Sequence, residues 1–404
     1  MPYCITLSGL SALCALRCVR HAKTRNAPYL TRCDLLSPSA GEHGRWSTKR
    51  LSRQLIQANL SPLAQVEISN PLHIAVPHES HRLRIKGVRN HIYSSGLPPQ
   101  AFVSLGDAIY ASSPELIFVE MASLMSPAVH VLLGMELCGC FSRHPNNPRT
   151  GDITYFVEPA TNVHKLRAFI QSCSGIKGIK QAKKTLDCVV DNAWSPIEAV
   201  IATLLVLPIY ELGYDLGPID LNVPITTSHG ATRSARRPDI LFRGTSVGLN
   251  YDGLDHVDLD SVVRAASQHA LMPGQMASKR ELDDALHQAR AGILEDKHRD
   301  RELMAQGIKA LTVSKEDLFE RGAFDRLVLQ VISALETEST YDYSDARLAL
   351  KSPLLAKLRQ DKLWSLLPTN EGLRATARLN RFFALRSGTV EDYLLQKGVF
   401  ERIA

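Results

Sequence analysis

The sequence predicts a multidomain α/β protein. Three observations lead there: 404 residues with 45% hydrophobic and 22% charged side chains, short runs of period-two alternation interleaved with helical patterns, and a hairpin followed by a long helical stretch and one more strand. A chain of this size can bury two or three cores, which excludes a peptide, a disordered tail or a fibre. The longest apolar stretches, 200–209 and 131–135, fall short of the ~20 residues that span a bilayer, so no transmembrane helix and no membrane partner are expected. Residues 1–18 are apolar, but no Lys or Arg precedes the run and Arg17 and Arg20 close it, which reads as a helix and not as a signal peptide. All eight cysteines lie in the first half, at spacings matching neither a disulfide framework nor paired zinc knuckles. Reduced thiols in a cytoplasm are expected. Cys138-Gly139-Cys140 with His144 offers three soft ligands without a visible fourth, and buried free thiols are the simpler reading.

Taken in order, residues 1–66 carry two helical patterns, 11–21 and 47–58, joined by a Pro/Gly/Ser-rich connector. Ser47 is a natural N-cap for the second. The first hundred residues hold thirteen basic and four acidic side chains, whereas the whole chain carries only +6. A polyanion partner for this part follows from phosphate neutralisation and counterion release. From Pro71 the period shortens. Runs at 72–76, 88–93 and 102–111, punctuated by Pro77, Gly87, Pro98-Pro99 and Gly106-Asp107, read as strands. Between the first two, Arg82, Arg84 and Lys86 alternate with Leu83 and Ile85. At strand period this puts three cations on one face, suited to gripping phosphates or to guarding a sheet edge.

Ser113-Pro114-Glu115 opens a helix, since Ser caps, Pro tolerates the first turn and Glu meets the positive end of the dipole. Helical patterns then dominate to about residue 190. The same type of start returns at Ser195-Pro196-Ile197-Glu198. After a strand region at 219–224 and a basic loop through Arg236-Arg237-Pro238 comes Asp239-Ile240-Leu241-Phe242, a four-residue link, and Val247-Gly248-Leu249-Asn250-Tyr251-Asp252-Gly253, which together read as a β-hairpin. If Phe242 faces Val247, Asp239 lies opposite Asn250, and Asp252 leaves the same face. Two carboxylates and an amide oxygen there would suit Mg²⁺, or Mn²⁺, with His256 four residues on to move a proton.

The run Arg237-Pro238-Asp239…Asn250-Tyr251-Asp252-Gly253-x-x-His256, preceded by Ser195-Pro196-x-Glu198 and followed by Arg299-Asp300-x-Glu302-Leu303-x-x-x-Gly307-Ile308, resembles the very-short-patch-repair (Vsr-like) endonuclease group of the PD-(D/E)XK superfamily. The resemblance covers about a third of the chain. It implies an αβββαβ core in which Glu198 matches the helix acid, Asp239 the metal carboxylate and His256 the late histidine, with phosphodiester hydrolysis as the activity. Asn250 stands where many relatives have a metal-binding glutamate, and Asp252 where lysine is usual. An insertion of helical pattern, 257–298, separates the histidine from the Arg-Asp helix. A weaker likeness, carried by Leu72-His73-Ile74-Ala75-Val76-Pro77, Gly87-Val88-Arg89-Asn90-His91 and Ser112-Ser113-Pro114-Glu115, is to the middle module of type IV abortive-infection antitoxin-like proteins.

The expected organisation is therefore a basic helical region (1–66), an antitoxin-like module of short strands then helices (67–190), a Vsr-like domain (191–336) and a helical extension (337–404). Two functions follow as expectations. One is a Mg²⁺- or Mn²⁺-dependent DNA endonuclease using Asp239, Asp252, His256 and Glu198, with metal on Asp239, Glu198, Asn250 and Asp252. The other is an inactive DNA-binding regulator of antitoxin type that touches DNA through Arg82, Arg84, Lys86, Arg236 and Arg237 and has a toxin protein as partner.

Overall fold

The computed structural model describes residues 4–22, 31–33, 46–106, 108–225, 237–252, 259–272 and 275–385. Two compact units emerge, Met1–Leu207 with Leu366–Asn370, and Pro208–Ser365 with Glu371–Ala404. Both mix helices and sheets, as expected of an α/β protein. Among the described residues no helix is long and apolar enough to cross a membrane.

The first unit runs β1 (Ile5–Leu7), α1 (Gly9–His21), β2 (Thr31–Cys33), α2 (Thr48–Gln57), β3 (Leu72–Val76), β4 (Val88–Ile92), β5 (Phe102–Ser104) and β6 (Ile109–Ser112). Helices α3 (Pro114–Ala122) and α4 (Pro127–Leu137), the short strands β7 (Phe141–Ser142) and β8 (Thr154–Tyr155), and α5 (Val163–Ser172), α6 (Ile179–Leu186) and α7 (Pro196–Val206) complete it. Its six-stranded sheet has the order β2-β5-β6-β1-β3-β4. Residues 1–66, set apart by composition, thus supply an inner strand: β1 pairs parallel with β6 and antiparallel with β3. Ile5, Thr6 and Leu7 are all buried because both sheet faces are covered there.

The Ser-Pro helix starts behave as their chemistry requires. Ser113 Oγ accepts from the Leu116 N–H at 3.3 Å and Ser195 Oγ from the Glu198 N–H at 3.1 Å, each closing an orphan donor of the first turn. Helices α3, α4 and α7 are buried almost all round, as helices without a polar face must be. They form the interior, with α4 packed on α3, α6 and α7.

One expectation needs correction. Residues 82–86 are not a strand, and β3 and β4 are parallel neighbours, Leu72 facing Val88 and Val76 facing Ile92, so no hairpin joins them. The connection is extended over a short stretch because the Asn90 side chain imitates a strand. Its Oδ1 accepts from the Leu83 N–H at 2.8 Å and its Nδ2 donates to the Leu83 carbonyl at 3.1 Å. Leu83 is thereby buried while Arg82, Arg84 and Lys86 face water.

The second unit runs β9 (Ile219–Leu221), β10 (Ile240–Phe242), β11 (Val247–Tyr251), α8 (Leu259–Leu271), α9 (Met276–Ala305), β12 (Lys309–Val313), α10 (Lys315–Phe319), α11 (Ala323–Leu335), α12 (Ser344–Leu350), α13 (Pro353–Leu366) and α14 (Asn370–Leu385). The sheet order is β12-β11-β10-β9. β9, β10 and β11 are antiparallel neighbours, and β12 returns parallel to β11 after the long α9. The buried stripe Phe324, Leu327, Val328, Val331, Ile332, Leu335 has helical spacing and packs α11 against β11. The link Arg243-Gly244-Thr245-Ser246 turns the hairpin, and Gly248 is required just after it: a Cβ would lie 2.9 Å from the Ile240 carbonyl oxygen.

Candidate functional site

The polar residues singled out on the hairpin fall on one row of the second sheet. Ile240 faces Leu249 and Leu241 faces Gly248, the register deduced from the four-residue link, so Asp239 stands opposite Asn250. Ile240 also faces Leu221, and Asn250 faces Thr312. These pairings align Asp239, Asn250 and Thr312 in one row of the sheet, with Asn222 just past the end of β9, in the left-handed region, beside Asp239. The hydrogen bonds agree. The Asn222 N–H donates to the Asp239 carbonyl at 3.1 Å, the Asp239 N–H to Asn250 Oδ1 at 3.3 Å, and the Tyr251 N–H to Asp239 Oδ2 at 2.6 Å. Asp239 and Asn250 each clasp the backbone of the other's strand. Asp252 follows at the strand end, its N–H bonded to the Val313 carbonyl at 2.9 Å.

Asn250 decides what this row can do. It is fully buried, its oxygen is engaged on Asp239, and its Nδ2 is buried with no partner among the described residues. The side of the amide left to a ligand is therefore a donor, which suits an acceptor or an anion and not a cation. Among the described residues no three His, Cys, Asp or Glu side chains are placed to share a metal ion.

Glu198 belongs to the first unit and is 4% exposed. Its carboxylate turns back to accept from the Trp194 N–H at 3.2 Å while Ser195 accepts from its own N–H. Ser195 thus caps α7, and the Glu198 carboxylate is engaged by the residue just before the cap. Asp239, Asn250 and Asp252 belong to the second unit. His256 and Arg236 lie outside the described residues, and Arg237 is half-buried just before Asp239. Arg82, Arg84 and Lys86 are exposed on the first unit, with Arg82 paired to Glu79 at 2.9 Å. The seven cysteines with described side chains, Cys138 and Cys140 among them, are free thiols.

The chain matches no protein-family model, no curated protein and no solved structure.

Sequence reasoning missed Asn222 and Thr312. The alternation Ile219-Asp220-Leu221-Asn222 carried a signal, but the register of β9 on β10 spans a long connection that no local rule fixes. It also missed a polar cluster in the first unit. His73 Nδ1 and His91 Nε2 lie 2.9 Å apart with the rings stacked, one nitrogen donating and the other accepting. Burial, helped by His91 and Arg89, holds His73 down to about 4, and burial, with Arg89 and Lys177, lowers His91. Both are neutral at neutral pH.

Nearby in sequence order, Glu120 accepts from the Gly9 N–H at the start of α1 (2.8 Å), from the Tyr93 O–H (2.5 Å) and from the Ser112 O–H (2.9 Å). Burial still raises its carboxyl to about 7. Tyr93 stands two residues after His91, yet nothing in the spacing announces that β4, β6, α1 and α3 all meet at one carboxylate.

Proposed function

We propose that this chain is a nucleic-acid-binding regulator of antitoxin type, built on a Vsr-like PD-(D/E)XK core whose phosphodiesterase chemistry has lapsed. The single observation that carries the reading is Asn250: at the position where the resembling nucleases hold a metal-binding glutamate, a buried amide spends its oxygen on the neighbouring strand and leaves an NH₂ toward any ligand. The strand order supports the fold half of the reading. Three antiparallel strands, a helical crossover and a fourth strand parallel to the third, preceded in the chain by α7, agree with an αβββαβ core. The departures support the lapse. Glu198 is engaged by the Trp194 N–H just before the α7 cap, and the amide removes one negative charge from what would be the ion's shell.

The exposed cations Arg82, Arg84 and Lys86, within a strongly basic first hundred residues, support contact with a phosphate backbone, and such contact makes affinity fall steeply with salt. The second reading, residual Mg²⁺- or Mn²⁺-dependent cleavage, rests on Asp239 and Asp252 standing at the same sheet end, since Mg²⁺ needs only one or two carboxylates beside substrate phosphates.

One assay separates the two. The full-length protein is incubated with supercoiled plasmid and with a labelled duplex, with and without Mg²⁺ or Mn²⁺, beside Asp239→Ala. Salt-sensitive binding with no metal-dependent nicking is the expected result. Nicking that requires metal and disappears in Asp239→Ala overturns the lapse and establishes the nuclease. Absence of both binding and nicking removes both readings.

A further inference from the structure

We infer that the second unit holds a binding pocket for a phosphomonoester of nucleotide size, between α13, the start of α11 and α14. The pocket has a volume of about 510 Å³, within the range of small-molecule sites, and is lined by Arg321, Lys357, Gln360, Asp361, Trp364 and Arg378 among others. It is separate from the Asp239–Thr312 row and does not rest on the nuclease-fold reading.

Gln360 supplies the observation that points to a ligand. Its Oε1 accepts from the Gly322 N–H at 2.8 Å, which fixes which way the amide faces. The Nε2 group is then buried without a hydrogen-bond partner among the described residues. A buried N–H that gave up water for nothing costs about 1–3 kcal/mol, and an acceptor oxygen in the pocket relieves it.

The surrounding charges choose the acceptor. Arg378 is already neutralised, held by Asp361 at 2.6 Å and Glu371 at 2.8 Å. Arg321 and Lys357 have no ion-pair partner among the described residues, and both side chains are exposed at the rim. Two uncommitted cations and one neutral donor match a dianion with several oxygens, the phosphomonoester, better than a single carboxylate. Trp364 lines the pocket. Its indole N–H is engaged on the Leu318 carbonyl at 3.1 Å, so it offers apolar surface and no further donor. The Arg321 and Arg378 guanidinium groups lie 5.8 and 6.0 Å from its ring centroid, which keeps Arg321 beside the pocket. The rest of the pocket, lined by Gly322, Ala356 and Trp364, takes the less polar part of the phosphomonoester. The same phosphate chemistry belongs to a free nucleotide and to a nucleic-acid 5′ end.

The test uses the full chain and titration calorimetry with AMP, adenosine and inorganic phosphate, then with short oligonucleotides carrying a 5′-phosphate or a 5′-hydroxyl. AMP is expected to bind at least tenfold more tightly than adenosine. Gln360→Glu keeps the acceptor for Gly322 but replaces the donor by an anion, and is expected to weaken AMP at least tenfold. Arg321→Gln is expected to weaken it severalfold, and circular dichroism verifies that both variants are folded. A preference for the 5′-phosphorylated strand over AMP, lost in Gln360→Glu, supports the pocket and assigns its source as a strand end. Adenosine bound as well as AMP, no phosphate dependence with any probe, or phosphate-dependent binding unchanged in both folded variants overturns the assignment.

Discussion

Glu120, half-buried, and Glu136, buried, are both glutamates of the first unit, both are hydrogen-bonded by several groups, and they titrate in opposite directions. Glu120 accepts only from neutral donors and is raised to about 7 by burial. Burial pushes Glu136 the same way, but Arg17 and Arg143 outweigh it and bring the carboxyl down to about 2. The Arg17 guanidinium grips both oxygens, at 2.9 and 2.6 Å, and the Arg143 N–H adds a third bond at 3.0 Å. Neutral hydrogen bonds offset part of the desolvation of a carboxylate; a bidentate cation offsets all of it. The lesson bears on the hairpin, where the Asp239 carboxylate accepts from a neutral donor, the Tyr251 N–H of the neighbouring strand.

The largest effect expected from breaking this comparison is at Arg17. Arg17→Leu leaves the Glu136 carboxylate buried without its principal cation and should cost about 3–5 kcal/mol, read as a lower denaturation midpoint at pH 7. Tyr93→Phe removes one donor from Glu120 and should cost about 1–3 kcal/mol; it should also raise the Glu120 pKa further, which carboxyl-resolved NMR titration would show.

The pH dependence sharpens the contrast. For Glu120 the folded pKa lies above the ordinary 4.5, so its contribution is fully present below about 4.5 and is lost as pH rises through about 7. For Glu136 the folded pKa lies below 4.5, so its contribution is present above about 4.5 and is lost as pH falls toward 2. Glu120→Gln should therefore flatten the decline in stability between pH 4.5 and 7 while leaving the acid limb unchanged, as urea midpoints across pH would record. The smallest effect belongs to the solvent-exposed version of the same ion pair: Arg82→Ala, which frees Glu79, should change stability by about 0–1 kcal/mol. The same variant should lower the salt slope of DNA binding by close to one unit.

Local chemistry made much of this legible in the sequence. The Ser47 cap, the two Ser-Pro starts and the hairpin at 239–252 depend on residues within a few positions of one another, so period and capping rules reach them. The four-residue link alone determined that Asp239 faces Asn250. Hidden features all depend on distant pairings. Ile5-Thr6-Leu7 is too short and too apolar to be told from the helix that follows it. His73 and His91 meet only because β3 and β4 are parallel, and the basic stretch at 82–86 alternates because Asn90 clips it, not because it joins a ladder. At the candidate site, the residue types were visible, whereas the direction of the Asn250 amide was settled by a hydrogen bond that only the folded sheet provides.

The inner position of β1 has a consequence for how the protein is made. Its strand partners are β3 and β6, and Leu7 faces Ile74 and Ala111, so during synthesis β1 must wait for about 65 further residues before β3 can pair with it and about 100 before β6 can. During that interval an apolar, unpaired strand is exposed to chaperones and to aggregation. Deleting Ile5–Leu7 should split the sheet down its middle and leave β3 and β4 without the neighbour that joins them to β5 and β6.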